Sequence, residues 1–295
     1  MTPPSVSVGL PVYNGERYLR AALDSVLCQT LADFELIICD NASTDATEAI
    51  CREYAQRDSR VHYHRSPRNI GAANNFRRVF ELSRGAYFKW IASDDYCAPE
   101  FLERCKQVLD ERPDVVLCTS KVNMVDAAGG LIEHYAERQD LPQERASERF
   151  MASRNQDSWC NASYGLVRSE ILRRTAVLGN YVGSDAVLLG EISLYGRFAE
   201  VPDYLLSRRS HCDAYSHGVT LEKMRAFYTP SKKRAMALVF RHWRHLFEYW
   251  RAVVRAPLPA VERLRLFAYI LRMTWWCKGK LMAEVVLALR NAASA

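Results

Sequence analysis

Apolar and polar positions switch between two periods along the first hundred residues. Val6 to Asn14 is a strand-like run closed by Pro11 and Asn14, and residues 16–29 that follow carry helical spacing. Phe34 to Cys39 is a second apolar run, ending in Asp40-Asn41-Ala42-Ser43-Thr44-Asp45 and opening another helix. Val61 to Arg65 reads as a short third strand that ends in Ser66-Pro67-Arg68-Asn69-Ile70-Gly71, with a helix patterned from Ala72 to Ser83. The fourth run, Ala86 to Ala92, ends in Ser93-Asp94-Asp95. Strands alternating with helices predict an α/β fold with a largely parallel sheet. In such a sheet the ligand crevice lies outside the carboxyl ends of the strands, and all four ends here carry polar residues suited to a nucleotide.

Two adjacent carboxylates at a strand end point to a hard divalent cation, Mn²⁺ or Mg²⁺, which prefers oxygen ligands and shares them with substrate phosphate. The other reading is a helix cap, with Asp95 starting the helix that begins near Pro99. A dinucleotide-binding oxidoreductase fits poorly. Its phosphate cradle needs glycines in the first βα turn, and residues 11–17 offer only Gly15.

Pro11-Val12-Tyr13-Asn14, Asp40 to Asp45, Asn69-Ile70-Gly71 and Ser93-Asp94-Asp95, in this order and at these separations, resemble the family 2 glycosyltransferases of GT-A fold. The match is close over residues 4–120 and looser as far as about residue 217. The resemblance implies an inverting transfer of a sugar from a nucleoside diphosphate to an acceptor hydroxyl, assisted by Mn²⁺ or Mg²⁺. It implies that Pro11, Tyr13 and Asn14 border the nucleotide, with Asn41 and Asn69 in the same pocket. Asp40 is expected to read the base through its ring N–H, which favours a uridine diphosphate sugar, while Asp94 takes the ribose and Asp95 the metal.

In the resembling family an acid at the start of a later helix is the catalytic base. Gly183-Ser184-Asp185 precedes the helix-patterned Ala186 to Ile192, and Ser184 stands where a first acid is common, so the role falls to Asp185. A carboxylate there would accept the acceptor hydroxyl's proton. Alternatively, Asp185 only favours the positive end of its helix, leaving Glu191 and Asp203 as other acids. Arg208-Arg209-Ser210-His211 resembles the family's Arg-x-His segment, with Arg209 on the diphosphate and His211 on the metal; His217 is a second histidine nearby. Two other classes remain. A nucleotidyltransferase would show a Gly-rich basic loop after its first strand, and an inactive sugar-nucleotide-binding scaffold should lack Asp95 or Asp185.

The middle of the chain should complete the acceptor side. Val115–Ser120 and Lys121–Val125 read as strands, Asp126 to Gly130 as a turn, and Trp159 to Arg168 as a strand feeding a helix near Ser169. Trp159, Tyr164 and Tyr181 either stack on sugar faces or fill the core.

Composition adds a compartment. The nine cysteines lack any Cys-x-x-Cys pair and fall in apolar patterns, as reduced packing residues do, and residues 1–5 carry no basic leader segment. No apolar run reaches the length of about 18 residues needed to span a bilayer, so a cytoplasmic enzyme is expected.

Charge is uneven: residues 1–220 hold 25 Lys/Arg against 30 Asp/Glu, whereas residues 221–295 hold 15 against 4. Nucleic acid is an unsuitable partner, because no recognition module accompanies the basic tail and the acidic part repels phosphates. The division predicts a GT-A domain over 1–220 and a basic amphipathic helical extension over 221–295. Helical stretches over about 221–255 and 260–291 flank Pro257-Leu258-Pro259. Phe267, Ile270, Leu271, Trp275, Leu281, Met282, Val285 and Leu289 are expected on one face, with Arg265, Arg272, Lys280, Glu284 and Arg290 opposite. Such a face packs on the catalytic domain, pairs with a second copy, or lies on an anionic membrane. In the last case it sits at the inner face of the cytoplasmic membrane, near a glycan or lipid-linked acceptor.

Overall fold

The computed structural model describes residues 3–136, 138–155, 160–212 and 240–293. Strands β1 (Val6–Val12), β2 (Phe34–Asp40), β3 (Val61–Arg65) and β4 (Tyr87–Trp90) lie in the order β3-β2-β1-β4, all parallel. Every position of β1 and β2 is buried, as expected of a parallel sheet covered on both faces. The covering helices include α1 (Leu19–Leu27), α2 (Thr47–Arg57) and α3 (Ala72–Glu81). Gly9 in β1 permits the closest approach, since a Cβ there would fall 2.7 Å from both Val79 of α3 and Phe88 of β4.

Beyond β4 the sheet becomes mixed and continues β8-β6-β9-β5, with β7 paired to β6. These strands are β5 (Tyr96–Cys97), β6 (Val115–Val125), β7 (Leu131–His134), β8 (Leu166–Arg168) and β9 (Arg197–Arg209). Residues 115–125, expected as two strands, form one strand whose register with β9 slips between Ser120 and Val122. The slip is where the apolar pattern divides. Helix α4 (Phe101–Glu111) starts from Glu100, so Asp95 caps no helix. The strand expected over 159–168 is a 3-10 turn, Asn161–Tyr164, followed by the short β8; Trp159 lies outside the described residues.

Helices α5 (Ala146–Asn155), α6 (Ser169–Arg173) and α7 (Ser184–Ser193) precede three C-terminal ones, α8 (Arg241–Arg255), α9 (Ala260–Trp276) and α10 (Lys278–Ala293). Residues 221–239 of the first expected C-terminal helix lie outside the described residues. The second is two helices, broken at Cys277. Helix α8 packs into the catalytic layer: Leu246, Tyr249 and Val253 share a core with Phe150 of α5 and Val187 of α7. Arg255 of α8 pairs with the buried Glu191 of α7 at 2.6 Å.

This docking overturns the expected helix faces. Leu266, Ile270, Leu281 and Ala288 are buried, whereas Leu271, Trp275, Met282 and Leu289 are exposed. Glu284, expected on the polar face, is buried and accepts the His242 backbone N–H at 2.9 Å. A carboxylate at the positive end of α8 stabilises that end, which a pattern confined to one helix does not reveal.

Candidate active site

The ends of β1, β2 and β3 are joined into one rim by side-chain hydrogen bonds. Asn14 Oδ1 accepts the Thr44 N–H and Ser43 Oγ accepts the Asn14 N–H, both at 2.9 Å. Asn41 donates to Asn69 Oδ1 at 2.9 Å and accepts the Ile70 N–H at 2.8 Å. Asn14 and Ala42 hold left-handed backbone at φ 49° and 62°, a cost that non-glycine residues bear mainly where a loop must take one shape. Tyr13 stands exposed on this rim, and Pro11 is buried in β1 below it.

Asp40, expected at the base, is buried and bonded within the protein. Its side chain has no exposed surface, Oδ1 accepts the Ser43 N–H, and Oδ2 accepts the Tyr63 hydroxyl at 2.8 Å with Arg65 Nε 3.3 Å away. The carboxylate fixes the loop that presents Asn41.

The two adjacent acids also divide. Asp95 is buried, and its Oδ1 accepts the Arg209 backbone N–H at 2.9 Å while Arg208 Nε lies 3.7 Å from Oδ2. Burial, then the Asp94 charge, push the Asp95 carboxyl up to about 7, against the pull of Arg208, the Arg209 N–H and the buried Lys89. Asp94 is half-buried and faces outward, with Oδ2 3.0 Å from Nε2 of His211.

Arg209 acts as a clamp. Its guanidinium donates to the carbonyls of Asp94, Asp126 and Ala127, at 3.0, 3.2 and 3.0 Å, and lies over the rings of Tyr18 and Tyr96. Tyr18 also packs on the His211 ring, with centroids 4.8 Å apart. Tyr18 Oη and His211 Nδ1 are buried and have no hydrogen-bond partner among the described residues. Native interiors seldom leave such atoms unpaired.

The chemistry of Asp94 and His211 fits a divalent cation that takes its remaining ligands from phosphate and water. Among the described residues no group of three metal-ligating side chains exists.

Asp185 lies in the first turn of α7, whose N-cap Gly183 has φ 78°. Its Oδ1 accepts the adjacent Ala186 N–H at 2.9 Å. Behind the turn, His245 of α8 donates to the Val182 carbonyl at 2.6 Å, and a Cβ on Gly183 would meet its ring at 2.7 Å. Burial holds the Tyr164 phenol well above its ordinary range, and the charges of Asp95, Asp94 and Asp185 act in the same direction. Arg208 sits 5.2 Å over this ring and pulls the phenol the other way. Glu191 is buried against Arg255, and Asp203 is paired with Arg104 at 2.7 Å. Tyr181 belongs to the core, and His217 lies outside the described residues.

A model of the family described as glycosyl transferase family 2 matches residues 7–174. The chain belongs to this family. The putative glycosyltransferase EpsH of Bacillus subtilis is 26% identical over 251 residues, which are 84% of this chain and 66% of EpsH. An Escherichia coli chondroitin synthase is 37% identical over 135 residues, 44% of this chain and 19% of the synthase. The chain thus spans less than two thirds of either relative. Staphylococcus aureus TarS (residues 1–349, in complex with UDP) superposes with a TM-score of 0.64 at 16% identity, covering 92% of this chain and 72% of TarS. A Pyrobaculum calidifontis mannosyltransferase in complex with GDP-Man and Mn²⁺ gives 0.54 at 17% identity, covering 100% and 76%. The fold of this family 2 member is that of the GT-A glycosyltransferases.

Three residues of this site escaped the sequence reading. Tyr18 carries no motif, and its meaning arises only from packing on His211. Arg208 is the arginine whose guanidinium faces the buried Asp95, and strand alternation at the end of β9 was the available signal separating it from Arg209. His245 is contributed by a helix outside the family match.

Proposed function

We propose that this glycosyltransferase moves a sugar from a uridine diphosphate sugar to an acceptor hydroxyl with inversion at the anomeric carbon. The observation that carries the reading is the Asp94–His211 pair at 3.0 Å, with the Tyr18 ring packed on His211. Support for the donor class comes from TarS, whose fold this chain shares and which has been captured with UDP and with UDP-GlcNAc.

Asp94 and His211 would hold Mn²⁺ or Mg²⁺, in place of the Asp95 ligation implied by resemblance. The buried Asp95 is occupied by the Arg209 N–H and tethers the end of β9. When bound, the cation offsets negative charge on the leaving diphosphate. Asn14, Asn41, Asn69 and Tyr13 border the nucleoside, and Asp40 holds their loop in shape. Asp185 takes the proton of the attacking hydroxyl. The new C–O bond forms as the bond to the β-phosphate oxygen breaks, and nucleoside diphosphate departs. The acceptor on this reading is a glycan or a lipid-linked glycan. None of the nine cysteines is in a disulfide, which suits a reducing, cytoplasmic setting.

Family membership argues against nucleotidyl transfer. Thermal-shift screening of nucleotide sugars with Mn²⁺ tests the donor, and release of UDP on adding acceptor distinguishes an enzyme from an inert binder. Stabilisation by UDP-sugars only in the presence of the cation is expected; indifference to all of them would overturn the reading.

A further inference from the structure

Helices α8, α9 and α10 each carry a second apolar stripe, turned away from the core. At about 100° per residue, Trp243, Phe247, Trp250 and Val254 align on α8. Val261, Leu264, Leu271 and Trp275 align on α9, and Met282, Val286 and Leu289 on α10. All of them are exposed, by 43% to 71%. The stripes adjoin. Trp250 packs on Phe267 of α9 with ring centroids 6.1 Å apart, and the Trp243 indole N–H donates to the Leu281 carbonyl of α10 at 3.2 Å. So much contiguous exposed apolar surface marks an interaction site.

The charge around these stripes has one sign. Residues 240–293 contain ten Lys/Arg and three Glu. All three carboxylates are drawn inward: Glu248 and Glu284 are buried, and Glu262 accepts the Ser147 N–H and pairs with Arg265. Exposed cations border the apolar residues, with Lys278 Nζ 3.8 Å over Trp275 and Arg272 5.1 Å over Trp276. Between α5 and α9, on the flank of the α9 stripe, lies a cleft of about 360 Å³. Arg145, Arg265 and Arg272 line it with Met151 and Tyr269, and Arg145 holds the lining Glu148. Guanidinium groups above apolar side chains suit a phosphate headgroup whose chains continue into hydrocarbon.

We propose that the outer face of α8–α10 docks on an anionic lipid bilayer, with the Trp residues at headgroup depth and the arginines on lipid phosphates. A second copy is a poor occupant, because a two-fold contact would set this cationic face against itself. Among the described residues no helix is long and apolar enough to cross a membrane, so the helices lie along the surface. Because His245 joins α8 to the turn before Asp185, docking would bring the catalytic side to a membrane-borne acceptor. That consequence rests on the proposed role of Asp185; lipid binding itself does not, and its test needs no turnover.

The test is flotation of the full chain with vesicles of phosphatidylcholine alone, or with about one third phosphatidylglycerol, followed by intrinsic Trp emission. Binding to the anionic vesicles only, weakened by salt and accompanied by a blue shift, is expected. A variant carrying Leu264→Gln, Leu271→Gln and Trp275→Gln changes exposed positions only and should bind at least about tenfold more weakly. A second, Arg251→Glu with Arg272→Glu, should lose the preference for anionic lipid. Equal flotation with both vesicles, or none, would overturn the proposal. So would a dimer in light scattering that the apolar substitutions dissolve while vesicle binding is absent.

Discussion

His211 Nε2 and Asp94 Oδ2 lie 3.0 Å apart although 117 residues separate them in the chain. The contact exists because Asp95, the next residue, is buried and accepts the Arg209 N–H, bringing the end of β9 to the loop after β4. One acid is thus free to face a ligand because its neighbour is bound to the protein.

The two acids should therefore fail differently. Asp95→Ala leaves a buried N–H without its acceptor and should cost about 1–3 kcal/mol of stability. Asp94→Asn should unfold within about 0.5 kcal/mol of the wild type yet lose the Mn²⁺-dependent response to donor. Urea unfolding and donor thermal shifts on both variants separate the roles; equal destabilisation would contradict the assignment.

Asp185→Asn keeps the shape of the carboxylate and its position at the helix start but removes the proton acceptor. Donor affinity should persist while transfer falls by about 10²- to 10⁴-fold. Steady-state rates beside donor titrations check this. A variant with weakened donor binding and an unchanged rate per bound complex would make Asp185 a structural residue only.

Much of this site was legible in the chain because parallel strands buried on both faces give uninterrupted apolar runs, and the polar residues that end them fall at the sheet's ligand edge. Asn14, Asn41, Asn69 and Asp94 stand in the loops after those runs, and their roles were expected from the resemblance to the family, with Asp94 on the ribose. What stayed hidden depended on direction and distant pairing. Asp94 and Asp95 are alike in sequence until the backbone turns one inward. The pairing of β9 with β6 joins Arg197 to Val115 across the chain and leaves no local signature. Glu284 reads as a polar-face residue until α8 arrives with its unpaired N–H groups.

The pairing of Glu191 with Arg255 gives a pH-dependent test of whether α8 stabilises α7. Burial holds Glu191 above its ordinary carboxylate range, opposed by the Ala176 N–H and Arg255. Removing Arg255 raises it further, so the folded variant keeps its proton to higher pH. The cost of Arg255→Met should be small below about pH 4, where Glu191 is protonated in folded and unfolded chains alike. It should grow as pH rises through the shifted value, to about 3 kcal/mol. Denaturant unfolding of both proteins across this range would show it; a constant difference would mean that Arg255 acts through packing alone.

The most direct measurement is calorimetric titration of UDP-sugars into the wild type and Asp94→Asn, each with Mn²⁺ and with EDTA. Saturable binding to the wild type that requires Mn²⁺ is predicted, weakened at least about tenfold when Asp94 is replaced. Equal affinity in EDTA, or an Asp94→Asn protein that binds as the wild type does, would contradict a cation-assisted donor site at Asp94 and His211.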